Sequence, residues 1–551
     1  MKYVIQFSII LTLIVLAGCQ VIERTGSLDE PAIVADPIAS SLPHLDDDVQ
    51  IAAADMEEAS AETAIDLDEP VDVALEVGPD PDLWQRIRDG FQLDHHMEEA
   101  RVRSEFNWYA RHPEYLDRVA TRASRHLYHI VEAIEARGLP MEFALLPIVE
   151  SAFDPFAYSH GRASGLWQFI PATGRRYGLK IDYWYDGRRD VPAATTAALD
   201  YLETLYKMLG QDWLLALAAY NSGEGNVRYS IRKNEKAGKP TDFWSLGLLA
   251  ETRAYVPRLL AISALISDPA KYDIQLKSIP NLPYWTPVDI GSQLDLARAA
   301  QLSDISTEEL YLLNPAFNKW STPPEGPHRL LVPVAKAESF KEAIENLPVS
   351  ARLTWRRHPV KSGESLSVIA ARYNTSIDTI RNANNIRGNV IRAGEALLVP
   401  VASQDQAAYE LSEEGRLQKT RAHAEKRAGT KPLTYTIRPG DNFWDLSRHF
   451  NVSMRDLARW NGMATTDLLI PGKDLKIFTD KPVEIAVAPS HNEVIRKVNY
   501  RVRNGESLSL IAAKFNVPLS SIIKWNQDVT GRKYLQPGDL LTLFVDVTAQ
   551  D

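Results

Sequence analysis

The stretch EFALLPIVESAFDPFAYSHGRASGLWQFIPAT, from Glu142 to Thr173, places an acidic side chain directly behind an apolar run. Glu150 follows FALLPIV, and a dense cluster of glycine, aromatic and amide residues comes later at Gly165–Phe169. Apolar surroundings raise the pKa of a carboxyl group because they penalise its charged form. Glu150 is therefore a candidate proton donor. The alternative is a solvated glutamate at the end of a surface helix.

The chain on both sides of this stretch has the pattern of a mainly helical domain, which we expect to span residues 83–270. Before the stretch, apolar residues recur at spacings of three and four, which predicts one amphipathic helix that ends at Gly138 and Pro140. These apolar positions are Leu116, Val119, Ala123, Leu127, Ile130 and Ile134. Further helix-like segments follow the stretch, and strand-like alternation is scarce.

Length and composition indicate several folded domains and exclude nucleic acid as a general partner. A chain of 551 residues is too long for a single hydrophobic core. The apolar content of 45% is ordinary for a globular protein, and the net charge of −11 opposes binding to a polyanion. The only cysteine is Cys19, so a disulfide within one chain is impossible.

Residues 1–19 have the pattern of a bacterial secretion signal, an apolar stretch that ends in LAGC. LAGC resembles the lipobox of bacterial lipoproteins, in which the cysteine, here Cys19, carries the lipid. Because Gln20 follows it rather than aspartate, the resemblance implies an anchor in the outer membrane and a chain that faces the periplasm. The alternative is a signal anchor with an incidental cysteine. Residues 20–82 are acidic and rich in alanine, which predicts a disordered tether.

The last third of the chain contains a sequence that is repeated three times. Each copy has a glycine turn near its start, an aromatic residue followed by asparagine ten residues after that glycine, a second asparagine and a closing glycine. The pattern predicts a strand, two short helices and a second strand, so each copy is expected to be a βααβ module. We expect the modules to be separate beads on polar, flexible linkers. Their expected bounds are 356–401, 434–478 and 498–546.

These copies resemble LysM modules, which bind the N-acetylglucosamine-containing glycans of peptidoglycan and chitin. The resemblance implies a shallow groove between the loop after the first strand and the loop before the last. By position, its lining residues are Gly363, Glu364 and Ser365 in the first module, Asp441 and Asn442 in the second, and Glu506 and Ser507 in the third. The alternative for these polar residues is the capping of helix N-termini. Residues 271–350 are a connecting region, in which 290–334 has the pattern of a degenerate fourth copy.

Four short motifs stand in a fixed order in the helical domain. They are Glu150-Ser151, Gly165-Leu166-Trp167-Gln168, Ala219-Tyr220-Asn221 and Tyr255. Their order resembles that of the lysozyme-like lytic transglycosylases of bacterial cell walls. With the repeats, the resemblance covers nearly the whole chain beyond the tether. It implies a multidomain fold, with a mainly α, lysozyme-like catalytic domain followed by three small βααβ LysM modules. Trp167 suits either a sugar-lined cleft or the core of that domain.

The resemblance implies a reaction on the glycan strands of peptidoglycan. Glu150 would protonate the oxygen of the β-1,4 bond between N-acetylmuramic acid and N-acetylglucosamine. As a carboxylate it would then take the proton of the C6 hydroxyl, which closes onto C1 and gives 1,6-anhydro-N-acetylmuramic acid. The residues implied to bind or orient the substrate and Glu150 are Ser151, Gln168, Tyr220, Asn221 and Tyr255.

Two other functions stay open from the sequence. A hydrolytic muramidase would need a second carboxylate, for which Asp154 and Glu224 are candidates, although Pro155 biases Asp154 towards a turn. A non-catalytic, peptidoglycan-binding scaffold would keep the modules without the chemistry. His95 and His96 are adjacent, but no cluster with metal-ligand spacing is evident, so neither a metal nor an organic cofactor is expected.

Overall fold

The structure is a computed structural model that describes residues 82–159, 161–479, 495–503, 506–515, 517, 519–526 and 538–546. The expected signal with Cys19 and the acidic segment up to residue 81 lie outside the described residues, as does most of the linker between the second and third modules. Within the described ranges, no helix combines the length and the apolar character needed to cross a membrane.

A mainly helical domain surrounds one large apolar core, as predicted. Its α-helices, numbered in chain order, are α1 Leu83–Asp89, α2 Ala100–Ala110, α3 Pro113–Ala123, α4 Leu127–Glu135, α5 Leu146–Ser151, α6 Pro171–Arg176, α7 Val191–Met208, α8 Trp213–Ser222, α9 Glu224–Lys236 and α10 Ala250–Ser267. Helix α10 is the central element, because its residues from Tyr255 to Ile266 are almost all buried and it packs against α2, α5 and α8. A helix that is apolar on most faces belongs in the middle of a core.

The single helix predicted before the Glu150 stretch is wrong, because α3 and α4 are separated at Ser124–His126. The apolar positions themselves are right, since every one of them is buried. Long-range contacts cause the break. Arg125 donates to the Glu309 carboxylate at 2.7 Å, and the His126 ring lies 3.1 Å from the Leu312 carbonyl oxygen. Tertiary contacts of this kind override a local preference for helix.

A second, smaller unit follows the helical domain and has the strand–helix–helix–strand order of the modules. Its elements are β1 Trp285–Asp289, α11 Leu296–Leu302, α12 Thr307–Leu313, β2 Arg329–Pro333 and a further helix, α13 Ala337–Asn346. The two strands pair antiparallel. Asn314 joins the second helix to the last strand, because its Oδ1 accepts from the Leu331 N–H and its Nδ2 donates to the Leu331 carbonyl, both at 2.8 Å.

The three repeats fold as βααβ modules with antiparallel strands, as predicted. Module 1 consists of β3 Thr354–Pro359, α14 Leu366–Arg372, α15 Ile377–Ala383 and β4 Ala396–Val401, and α16 Glu413–Ala428 follows it. Module 2 consists of β5 Leu433–Thr436, α17 Phe443–His449, α18 Met454–Arg459 and β6 Asp474–Ile477. Module 3 consists of β7 Ile495–Arg501, α19 Leu508–Lys514, α20 Leu519–Trp525 and β8 Leu540–Asp546. The asparagine that joins helix to strand recurs as Asn384, Asn461 and Asn526.

The linker between modules 1 and 2 is not the flexible spacer that its polar composition predicts. It contains α16, and just before this helix Tyr409 and Leu411 are buried in the core of the second unit. Ser412 caps α16 through a hydrogen bond from the Gly415 N–H at 3.2 Å. Two apolar anchors and a helix cap therefore fix a segment whose average composition resembles that of a tether.

The helical domain and the second unit share a hydrophobic core. Phe156, Trp184 and Tyr185 of the helical domain belong to the same apolar cluster as Leu310 and Phe340 of the second unit. The ion pair between α3–α4 and α12 described above is also buried at this junction. Removing one partner of a buried ion pair typically costs about 3–5 kcal/mol. The second unit is thus an integral support of the helical domain.

Candidate active site and glycan-binding modules

Glu150 is the penultimate residue of α5, and the residues before it in this helix are buried while Glu150 itself is half-buried. Pro147 lies in the first turn of α5, where the missing N–H would have no helical partner. The helix ends because Ala152 and Phe153 adopt left-handed conformations, with φ of 49° and 56°. The carboxyl group is therefore presented at the edge of the apolar core, where it is accessible to a substrate.

Helix α10 supplies the immediate partner of Glu150. The Tyr255 hydroxyl donates to Glu150 Oε1 at 2.5 Å. Burial is the main reason that the pKa of Glu150 is raised to about 8; the Tyr255 hydrogen bond opposes this shift, and the charge of Glu251 adds to it. Near neutral pH, Glu150 is therefore mostly protonated, which is the state that a proton donor requires.

The end of α8 brings Tyr220 and Asn221 to the same site. The Tyr220 hydroxyl donates to the Trp167 carbonyl oxygen at 2.9 Å, and burial together with the charge of Glu150 raises the pKa of Tyr220 well above its usual value. The Thr252 hydroxyl donates to Asn221 Oδ1 at 2.8 Å. This bond fixes the amide and leaves its Nδ2 without a partner among the described residues, so Nδ2 can donate to a sugar.

The turn that contains Gly165 and Gln168 is joined to α5 by Ser151, whose hydroxyl donates to the Leu166 carbonyl at 3.1 Å. Only glycine fits at position 165, because φ is +80° and a Cβ there would lie 2.3 Å from the Arg188 carbonyl oxygen. Gln168 Nε2 closes the turn by donating to the Gly165 carbonyl at 2.8 Å. Ser151 and Gln168 thus hold backbone near Glu150.

Trp167 packs in the core of the helical domain and does not line a cleft. Its side chain is fully buried, and its Nε1 donates to the Thr195 hydroxyl at 3.0 Å. The sequence left two roles open for Trp167, and the structure shows core packing. The partly accessible groups near it are the Gln168 amide and the Tyr220 hydroxyl.

The two candidates for a second catalytic carboxylate, Asp154 and Glu224, are not among the groups that shift the pKa of Glu150. Asp154 lies in the turn after α5, as predicted, and accepts a hydrogen bond from a backbone N–H at 2.9 Å. Glu224 lies 3.2 Å from the Arg176 guanidinium, and its pKa is lowered although burial opposes this, because hydrogen bonds and the charge of Arg176 favour the carboxylate. The carboxylate whose charge acts on Glu150 is Glu251.

Sequence analysis missed Glu251 and Thr252 as members of this site. They precede Tyr255 by four and three residues on α10, so the three side chains lie on one face of the helix. That helical spacing was the signal available in the sequence. The structure also brings together Asp94, His96 and Glu98, whose possible metal-ligand atoms lie within 4.8 Å of one another, a cluster that sequence analysis did not identify.

In modules 1 and 3, the glutamates predicted to line the glycan groove are held within their own module. Glu364 accepts from the Lys361 N–H at 2.9 Å and lies 2.9 Å from the His358 ring, and these bonds lower its pKa to about 2. Glu506 accepts from the Tyr500 hydroxyl at 2.7 Å, which is the main reason that its pKa is also lowered to about 2. Both carboxylates therefore stabilise the turn after the first strand.

Module 2 repeats this arrangement with Asp441, which accepts from the Tyr435 hydroxyl at 2.9 Å. The residues that follow these acidic positions cap the first helix of each module, and they are Ser365, Asn442 and Ser507. Gly363 has a φ of +81°, which the turn before Glu364 requires. The helix-capping role proposed as an alternative is thus observed, and contact of these residues with glycan stays a prediction.

The fold and the site define a class: a helical transglycosylase domain joined to carbohydrate-binding modules. Residues 129–243 match the family described as Transglycosylase SLT domain. Residues 284–348 match the family described as Lytic transglycosylase MltD, LysM-like domain, which covers the second unit. The LysM domain family matches residues 358–400, 435–478 and 500–544. The resemblances to lytic transglycosylases and to LysM modules are confirmed, and the resemblance of LAGC to a lipobox stays a prediction.

Comparison with known proteins gives the family. The chain is 35% identical over 422 residues to membrane-bound lytic murein transglycosylase D of Escherichia coli, a match that covers 74% of this chain and 88% of that protein. The chain therefore belongs to the family of membrane-bound lytic murein transglycosylase D. A protein of Alteromonas sp. named for tributyltin chloride resistance is 46% identical over 124 residues, covering 22% of this chain and 60% of that protein.

Among solved structures, an inactive mutant of the lytic transglycosylase Slt from Pseudomonas aeruginosa is 24% identical to this chain. The match covers 27% of this chain and 24% of that chain, with a TM-score of 0.20. A likeness of this extent is too partial to bear on the fold.

Proposed function

We propose that Glu150 performs both the acid and the base step of a lytic transglycosylase reaction. By its family, the chain is a peptidoglycan lytic transglycosylase. We assign the cleaved bond as the β-1,4 linkage between N-acetylmuramic acid and N-acetylglucosamine, and the product end as 1,6-anhydro-N-acetylmuramic acid. The observation that carries this proposal is the half-buried Glu150 carboxyl, which has a pKa of about 8 and, within the described ranges, accepts from one hydroxyl, that of Tyr255.

In the first step, the proton comes from Glu150 Oε2, because Oε1 already accepts from Tyr255. The glycosidic oxygen takes this proton, the bond to C1 breaks, and N-acetylglucosamine leaves with a hydroxyl group. The acetamido oxygen of the muramic residue stabilises the positive charge that develops at C1. The Tyr255 hydrogen bond stabilises the carboxylate that Glu150 becomes.

In the second step, Glu150 acts as a base. Its carboxylate takes the proton of the C6 hydroxyl while O6 bonds to C1, so the anhydro ring closes without water and Glu150 is again protonated. A single group suffices for both steps, because the carboxylate that the first step leaves is the base of the second. We propose that Tyr220 and Asn221 bind or orient the sugar.

We propose that Ser151 and Gln168 support this geometry indirectly. Both side chains are engaged with backbone carbonyls of the turn that packs on α5. They therefore orient the strand of backbone beside Glu150 and do not need to contact the glycan themselves. The helical domain that contains all of these groups is proposed to span residues 83–270, with the connecting region 271–350 behind it.

Mass spectrometry of digested sacculi tests the reaction, since anhydro ends are one water lighter than reducing ends. Only anhydro ends are expected, and purely reducing ends would identify a hydrolytic muramidase instead. Glu150→Gln should lower lysis by roughly 10²–10⁴-fold, the usual contribution of a general acid and base. Glu224→Gln is the matched control and should keep lysis near the wild-type rate. Equal lysis by Glu150→Gln and wild type would show that Glu150 is not the acid, and absence of lysis by the wild type itself would leave a scaffold that binds peptidoglycan without cutting it.

We propose that the three modules hold the enzyme on peptidoglycan through Gly363, Glu364, Ser365 and their counterparts in modules 2 and 3. Shallow sites that bind weakly gain from being linked, because the second binding event is intramolecular. A variant truncated after residue 431 lacks modules 2 and 3 and keeps α16. This variant should bind sacculi more weakly than the full chain and should still cleave soluble glycan. Undiminished binding to sacculi would contradict the assignment.

We also propose that Cys19 is lipidated and anchors the chain to the outer membrane, facing the periplasm. The support is the LAGC motif followed by Gln20. Cys19→Ala should stop incorporation of labelled palmitate and should move the protein from the membrane fraction to the soluble fraction. Labelling that persists in the variant would contradict the anchor.

A further inference from the structure

The second unit and module 1 share one architecture but differ at the start of their first helix. Ser365 caps α14 in module 1 and is exposed, beside the proposed glycan groove. Asp295 has the equivalent position in the second unit, where it caps α11 by accepting from the Arg298 N–H at 3.1 Å. Asp295 is completely buried. Another part of the chain therefore covers this end of the second unit.

The covering segment is the linker that follows module 1, residues 402–416, which we call the strap. The Tyr409 hydroxyl donates to Asp295 at 2.9 Å, and the Ser403 N–H donates to the same carboxylate at 2.9 Å. Tyr409 and Leu411 are buried in the core of the second unit. The Glu413 N–H donates to the Asn318 carbonyl of that unit at 2.8 Å. The strap thus covers the position that is equivalent to the proposed glycan groove of module 1.

The strap is tightly packed at its end, where α16 begins. Gly415 is buried against the preceding turn, and a Cβ at this position would lie 2.2 Å from the Glu410 carbonyl oxygen. Only glycine allows this close approach of the backbone. The next residue, Arg416, lies on the side of α16 that contacts the helical domain. Arg416 is half-buried, and its guanidinium donates to the Leu411 carbonyl at 2.5 Å. This bond holds the side chain in a defined direction.

The target of Arg416 is the turn that follows Glu150. Its guanidinium carbon lies 4.5 Å from the centre of the Phe156 ring, a cation–π contact. Its positive charge also acts on Asp154, in the same turn. A second arginine, Arg122, donates to the Ala152 carbonyl at 3.3 Å. The two arginines therefore hold the short turn that ends α5.

We propose that residues 402–416 are a positioning strap that occupies the glycan site of the second unit and, through Arg416, fixes the turn after Glu150. The second unit is then an adaptor between the strap and the helical domain rather than a fourth glycan-binding module. Arg416 is a positioning residue, since it touches Phe156 and not the substrate. The proposal rests on the proposed role of Glu150.

The test uses the full chain with Arg416→Ala and, as a matched control, Arg421→Ala. Arg421 is on the same helix but donates to the Trp460 carbonyl of module 2 at 2.8 Å. On soluble glycan strands, Arg416→Ala should lower kcat by roughly 10–100-fold with KM within about twofold, because misplacement by about 1 Å can cost that much. Arg421→Ala should match the wild type. Arg416→Lys should recover part of kcat, since a positive charge is restored near Asp154.

Amide hydrogen exchange across residues 152–157 provides a second measurement. Arg416→Ala should increase exchange there and Arg421→Ala should not. Wild-type kcat and wild-type exchange in Arg416→Ala would overturn the proposal. If Arg416→Ala does not fold, Tyr409→Phe, which removes only the hydroxyl bonded to Asp295, must show faster exchange in this turn or the strap has no positioning role. Failure of the Glu150 assignment is separate, because it is read from Glu150→Gln alone.

Discussion

Glu150 in the helical domain and Glu364 in module 1 are the same side chain in opposite environments. Burial raises the pKa of Glu150 to about 8, whereas hydrogen bonds lower that of Glu364 to about 2. Burial is the largest influence on the pKa of Glu150, whereas at Glu364 it is outweighed by hydrogen bonds from Lys361 and His358. The difference therefore lies in burial together with the number of donors directed at the carboxylate.

In the part of the chain that the structure describes, Glu150 receives one donor, the Tyr255 hydroxyl. Glu364 is held by a backbone N–H, the His358 ring and the Arg372 guanidinium. A carboxyl group with one neutral donor can release and recover a proton near neutral pH. A carboxylate with several donors, one of them charged, stays ionised and serves as a structural anchor. In the sequence, Glu150 and Glu364 look alike, since each is a polar group near a turn. Their surroundings in the structure separate the residue that we assign to chemistry from the residue that was predicted to bind glycan.

The largest expected effect concerns the stability that Glu150 costs the folded protein. Its folded-state pKa is raised, so the cost is absent below the unfolded pKa near 4.5 and grows as pH rises towards 8. The pKa of Glu150 rises from 4.5 in the unfolded chain to about 8 in the folded protein. Glu150→Gln removes this group and should therefore raise the free energy of unfolding at pH 8 by roughly 4 kcal/mol. The variant should unfold at a higher temperature than the wild type at pH 8, and at a similar temperature at pH 4.

Differential scanning calorimetry at several pH values measures this difference. Glu224→Gln is the control, because the pKa of Glu224 is lowered and the variant should not gain stability as pH rises. A Glu150→Gln variant that is no more stable than the wild type at pH 8 would show that burial does not raise the pKa of Glu150. The comparison with Glu364 would then lose its basis.

The next effect is a shift of the pH profile, with opposite signs for two neighbours of Glu150. The basic limb of kcat/KM follows the pKa of the acid in the free enzyme. Besides burial, the groups that shift the pKa of Glu150 are Tyr255 and Glu251. Tyr255→Phe removes the hydrogen bond to the carboxylate, so the limb should move to higher pH by up to about one unit. Glu251→Gln removes a like charge, so the limb should move to lower pH.

The Glu251 shift should be the smaller of the two and should shrink in high salt, because Glu251 is exposed and its charge is screened. Rates on soluble glycan from pH 5 to 10 provide the profile. If the basic limbs of Tyr255→Phe and Glu251→Gln moved in the same direction, the assignment of Glu150 as the titrating acid would be contradicted.

Local sequence patterns predicted the helical domain and the βααβ modules, whereas the residues around Glu150 were implied by the resemblance that the ordered motifs carry. Periods of three and four, glycine turns and ordered motifs are signals within one segment, and the structure preserves them. The same reasoning gave Asp154 as a turn residue because proline follows it. It also indicated that Ser365 and its counterparts would serve as helix caps if they did not bind sugar.

What the sequence did not predict depends on contacts between distant segments. The break between α3 and α4 follows from the pairing of Arg125 with Glu309, which is 184 residues away. The strap was assigned to a flexible linker because its few apolar residues are outnumbered by polar ones. The partner of its Tyr409 hydroxyl is Asp295, which lies in another unit. Such contacts leave no periodic trace within either segment.

The smallest expected effect lies in module 1. The pKa of Glu364 is lowered, so the stability it contributes is present above the unfolded pKa near 4.5 and is lost as pH falls through about 2. Glu364→Gln should therefore speed amide exchange in β3 and β4 at pH 7, and the difference from the wild type should fade towards pH 2. Glu345→Gln, an exposed position on α13, is the control and should leave these strands unchanged. The opposite result would be a difference between Glu364→Gln and the wild type that is larger at pH 2 than at pH 7. It would show that the Glu364 carboxylate does not stabilise its turn, and the contrast with Glu150 would not hold for Glu364.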